Sequence, residues 1–192
     1  FSIANFAADA AALIETRNLA PLIVGGISMG AAIAMRLAVV RPDLVRGLII
    51  ARPAWSYTRA PENMRPNAEV GELLAHMSQN AARSAFNASA TARRLATEAP
   101  DNLASLLGFF ARNPQTVTSA LLRAISADGP GITKGQLAAI AVPTLVIAHR
   151  MDSVHPFALA EDIATAIPGA ELIEITPKAQ DRARYVSDFQ SA

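Results

Sequence analysis

With 192 residues, of which 52% are hydrophobic and 17% charged, the chain is long enough for one domain with a sizeable core, and no apolar run reaches the ~20 residues of a membrane span. A net charge of +1 gives no reason to expect nucleic acid or an anionic membrane as partner. The absence of cysteine excludes disulfides, thiol catalysis and thiolate metal sites.

Residues 1–18 place Ile3, Phe6, Ala10, Leu13 and Ile14 on one helical face behind a capping Ser2. The chain begins at Phe1, inside this helix-like pattern, so an N-terminal part is expected to be missing. Residues 21–24, Pro-Leu-Ile-Val, read as a strand, and the alanine-rich residues 29–40 as a helix stopped by Arg41-Pro42. Residues 45–51 form the nearly continuous apolar run of a buried parallel strand. Residues 52–66 hold three prolines together with Trp55 and Tyr57 and read as a connection.

Residues 67–126 are helical in pattern, with helices expected over 68–79, 81–98, 103–111 and 116–126. The spacing then predicts a short helix at 134–140, a strand at 143–149, a helix at 156–167, a strand at 170–175 and a closing helix at 181–189. In the closing helix Ala183, Tyr185, Val186 and Phe189 are available for burial. Strands alternating with helices predict an α/β fold with a parallel sheet of about four strands and flanking helices. The helical block interrupts that alternation and reads as an inserted cap over residues 53–134, with the core in residues 1–52 and 135–192.

Between the first strand and its helix stands Gly25-Gly26-Ile27-Ser28-Met29-Gly30. A strand, a turn of small residues and a helix make G-x-S-x-G informative, because such a turn lifts the serine hydroxyl above the sheet. Gly26 and Gly30 are expected where a Cβ would collide with neighbouring backbone. The Met29 N–H is expected at a helix N-terminus, placed to stabilise an oxyanion.

These residues resemble the α/β-hydrolase family. The resemblance rests on Gly26-Ile27-Ser28-Met29-Gly30, on residues 41–48 and 142–147, on Asp152-Ser153-Val154-His155-Pro156 and on Ile167-Pro168-Gly169-Ala170. It implies that Ser28 is the nucleophile, that Asp152 is the acid of a triad, and that a small ester or related acyl compound is the substrate. Two departures stand out. The family's histidine follows the last strand, where this chain has Pro177-Lys178-Ala179-Gln180. The family's first strands, and the loop giving the second oxyanion N–H, precede a helix like residues 1–18.

The residues available as the base are the three histidines and Lys178. His155, three residues after Asp152, reads either as a displaced base or as a structural residue at the start of a helix. Lys178 would serve only with a depressed pKa. His149 reads as a packing or rim residue, and His76 as a residue of the cap surface. Arg52 and Trp55 follow a strand end and are expected to line the substrate pocket; Arg52 reads either as a partner for a substrate carboxylate or, more simply, as a member of a surface salt bridge. No His, Asp and Glu cluster has metal-ligand spacing, and neither metal nor cofactor is expected. The expectation is therefore a cytoplasmic serine hydrolase, either a homo-oligomer or associated with a missing N-terminal segment. The alternatives are a non-catalytic relative that binds a ligand, and an incomplete enzyme.

Overall fold

The computed structural model describes residues 1–192. Helix α1 (Ile3–Thr16) starts at Ser2, whose hydroxyl accepts from the Asn5 N–H at 3.1 Å. Strand β1 (Leu22–Ser28) runs straight into α2 (Met29–Val40), and β2 (Val45–Pro53) follows. Five helices come next: α3 (Arg65–His76), α4 (Gln79–Asn87), α5 (Ala90–Glu98), α6 (Pro100–Gly108) and α7 (Gln115–Ser126). The chain returns through α8 (Lys134–Ala138), β3 (Thr144–Ala148), α9 (Phe157–Ala166), β4 (Glu171–Glu174) and α10 (Arg182–Ser191). The four strands are parallel in the order β1-β2-β3-β4, the α/β arrangement expected from their alternation with helices.

The two sheet faces are covered unequally. Val24, Leu48, Ile50, Val146 and Ala148 point to one face and join the main core with α1, α2, α8 and α9. Alanine makes this packing close, since Ala31, Ala32, Ala34 and Ala38 of α2 are all buried. On the other face Ala51, Ile147 and Ile175 meet Tyr185 and Phe189 of α10. Ile23, Ile27 and Ile49, on that same face, remain exposed. Helices α3 to α7 bury a separate core, including Val70, Leu74, Phe86, Leu95, Leu106, Phe110 and Leu122. No helix is long and apolar enough to cross a membrane.

The structure departs from the sequence reading in several places, α6 among them, which begins at Pro100 and not at residue 103. Strand β1 extends through the glycines to Ser28 instead of ending at residue 24, because Gly25 and Gly26 pair with Ile49 and Ile50. The expected helix 81–98 is two helices, with Ser89 capping α5 through the Ala92 N–H at 3.1 Å. The run lacks the Gly or Pro that would announce this break. A Cβ on Gly26 would lie 2.2 Å from the Gly30 carbonyl carbon, whereas one on Gly30 would meet nothing within 4 Å. Only the first of the two glycines is therefore sterically required here. In α10, Tyr185 and Phe189 are half-buried, while Ala183 and Val186 stay exposed on the outer side of the helix.

Candidate active site

Ser28 sits at the C-terminal end of β1 with φ 59° and ψ −115°. A non-glycine residue there carries about 1–3 kcal/mol of backbone strain, and such strain persists only where the surroundings enforce it. The enforcement is visible at Gly26, which lets the first turn of α2 pass directly over the strand. Met29 is the first residue of α2, so its N–H belongs to the helix's unsatisfied N-terminal donors.

Asp152 and His155 lie in the connection between β3 and α9. The Asp152 carboxylate, 5% exposed, accepts from five protein donors. On Oδ1 these are the His155 backbone N–H at 3.0 Å, the His155 ring at 2.9 Å and Asn102 Nδ2 at 2.8 Å. On Oδ2 they are Arg52 Nε at 2.8 Å and Arg52 Nη2 at 2.7 Å. Burial by itself would push this carboxyl up. The hydrogen bond and charge of His155, the charge of Arg52 and the Asn102 amide outweigh it, holding the acid well below the usual carboxylate range.

An ionised carboxylate only accepts, so the proton of the neutral His155 ring lies on Nδ1, facing Asp152. Nε2 is then the acceptor, and it lies 2.8 Å from Ser28 Oγ. Hydroxyl, imidazole and carboxylate thus form one continuous chain of hydrogen bonds, with the acid and the imidazole three residues apart in one turn.

Of its two expected roles Arg52 takes the ion pair, but with the buried Asp152 instead of a surface partner. Near the end of β2 it has φ 44° and turns its guanidinium onto Asp152, with Tyr185 Oη 3.5 Å from Nη1. The acid is buried and within hydrogen-bond distance, and it raises the arginine's pKa against the lowering effect of burial. Trp55 does not fit the expected pocket-lining role. It is 1% exposed in the main core and donates its indole N–H to the Asp128 carbonyl at 3.1 Å. A large apolar ring with a polar edge is well served by that buried acceptor.

His149 is buried behind Asp152, its ring edge-on to Tyr185 with centroids 6.0 Å apart. Burial lowers its pKa, so it is held neutral. His76 is exposed near Glu72, and Lys178 lies 4.0 Å from Asp101. Sequence reasoning missed Asn102, a buried amide from α6. One polar residue in a helical block carries no signal of its long-range partner.

A family model described as serine aminopeptidase, S33, matches residues 2–178. The chain belongs to this α/β-hydrolase family. It is 31% identical over 188 residues to "Putative non-heme bromoperoxidase BpoC" of Mycobacterium tuberculosis, covering 91% of this chain and 67% of that protein. Among solved structures, this α/β-hydrolase resembles the enol-lactonase from Burkholderia xenovorans LB400. There the TM-score is 0.68 at 23% identity, over 100% of this chain and 74% of the other. It also resembles a thermophilic esterase from Thermogutta terrifontis, with TM-score 0.70 at 20% identity, over 100% and 71% of the two chains.

Proposed function

We propose that this chain hydrolyses small esters or related acyl compounds through a Ser28–His155–Asp152 triad. The observation that carries the proposal is the hydrogen-bond chain, at 2.8 Å from Ser28 Oγ to His155 Nε2 and 2.9 Å from His155 Nδ1 to Asp152. A serine hydroxyl is a weak nucleophile until a base accepts its proton, and the base needs an orienting partner. Ser28 Oγ attacks the acyl carbon while His155 Nε2 takes the proton. The oxyanion forms opposite the Met29 N–H, at the positive end of α2. The imidazolium, stabilised by Asp152, then protonates the leaving group, and the same base activates the water that releases the acid product.

Residues 53–134 are assigned as the cap, which forms the roof of the substrate site. Support for an acyl substrate comes from the names of the similar proteins, an enol-lactonase and an esterase. A histidine at hydrogen-bond distance from Ser28 favours catalysis over the non-catalytic alternative.

A fluorophosphonate probe tests the role of Ser28. Wild type is expected to be labelled at Ser28, and Ser28→Ala is expected to abolish labelling. Equal labelling of both would remove Ser28 from the mechanism, and a folded wild type that takes no label would favour a binding module.

A further inference from the structure

The turn that carries the acid and the base is held from two sides. Arg52 grips Asp152 from the sheet. From α6 of the cap comes Asn102, which is 2% exposed. Its Nδ2 donates to Asp152 Oδ1 at 2.8 Å, and its Oδ1 accepts from the Ser153 N–H at 2.7 Å and the Val154 N–H at 3.0 Å. This fixes the amide's orientation. Flipped, it would set an oxygen against a carboxylate and an NH₂ against two N–H groups. Asn63 assists lower in the turn, donating to the carbonyls of Val154 at 2.7 Å and Ala54 at 2.9 Å.

The three hydrogen bonds of Asn102 do two separate things. Its oxygen anchors the backbone between acid and base. Its NH₂ orients the carboxylate that in turn orients the imidazole. Because Asp152 and His155 share one turn, a rotation of that turn moves both relative to Ser28, which stands on a different element.

We propose that Asn102 is a positioning residue that sets Asp152, and through it His155, against Ser28, tying the cap to the acid–base turn. The proposal rests on the triad reading. A displacement of about 1 Å between reacting groups is enough to cost roughly 100-fold in rate.

The test uses hydrolysis of p-nitrophenyl butyrate and the far-downfield NMR resonance of the His155 Nδ1 proton, both in the full chain. Asn102→Ala is expected to lower kcat roughly 10- to 100-fold with KM changed by less than about 3-fold, and to move or broaden the Nδ1 resonance. Asn102→Asp keeps an acceptor for Ser153 and Val154 but sets a second carboxylate against Asp152. It is expected to stay folded, to lose activity and to move the acid limb of kcat/KM to higher pH. The imidazole in question is faced by Asp152 in its own turn and by Arg52 from β2, with His149 and Tyr185 behind that pair.

A folded Asn102→Ala or Asn102→Asp with wild-type kcat and an unmoved resonance would overturn the proposal. If the alanine variant does not fold, the aspartate variant decides alone. Should Ser28→Ala hydrolyse the ester as fast as wild type, the triad reading fails instead. The Nδ1 resonance then judges Asn102 by itself, because it reports Asp152–His155 geometry without turnover.

Discussion

Asp152 and His149 sit side by side, both with native pKa values below their ordinary ones. For Asp152 the donors around it stabilise the anion, so its contribution to stability is complete above about pH 4 and is lost as pH falls through the native pKa. For His149 burial disfavours the cation. The unfolded chain takes up that proton first as pH falls below about 6.5, and the folded state loses ground from there. Neither ring nitrogen of His149 has a hydrogen-bond partner on the protein. An apolar residue of similar size therefore removes a liability. His149→Leu is expected to leave stability at pH 7 unchanged, or raised by about 1 kcal/mol, and to shrink the loss between pH 7 and pH 5. Urea unfolding at the two pH values checks this, and a loss above about 2 kcal/mol at pH 7 would show that the ring is held by bonds that matter.

At the scale of elements, the β1–α2 turn depends on Gly26 far more than on Gly30. Gly26→Ala places a methyl carbon 2.2 Å from backbone that cannot yield, and is expected to cost about 3 kcal/mol together with the activity. Gly30→Ala enters open space in the first turn of a helix and is expected to be neutral or mildly stabilising. Thermal unfolding of both variants decides, and equal destabilisation would contradict the assignment. The sequence showed that a strand, a turn and a helix meet at Ser28, since the apolar period changes there. It did not show that the strand continues through the glycines, because only pairing with β2 extends it. His155 was visible as a residue type three positions after Asp152. Where its ring points is set by Arg52 and Asn102, which lie about 103 and 53 residues away in sequence and leave no local trace. The partners of Arg52 and Trp55, Asp152 and Asp128, were hidden for the same reason: they are brought up only by the fold.

For the whole molecule, the uneven cover of the sheet has a consequence for association. Strand β1 is one of the two edge strands, and on its thinly covered face Ile23 and Ile27 are each about half exposed beside Ile49. Unpaired strand N–H and C=O groups next to apolar side chains form a template for another strand. We predict that this 192-residue chain is not a free monomer, and that a second copy or further polypeptide lies along β1. Sedimentation velocity at micromolar concentration is expected to show association, with an interface on the order of 1,000 Å² or more. A stable monomer that binds no dye at exposed apolar surface and unfolds cooperatively would contradict this.

His155, the proposed base acting on Ser28, precedes α9 and does not follow the last strand. The most direct measurement is kcat for p-nitrophenyl butyrate in His155→Ala, with Lys178→Ala alongside. Removing a triad base takes away most of the chemical acceleration and leaves binding and the oxyanion site. The expected result is a fall of roughly 1,000-fold or more for His155→Ala, an unchanged unfolding transition, and wild-type kcat for Lys178→Ala. Ser28-dependent turnover at the wild-type rate in His155→Ala would contradict the account.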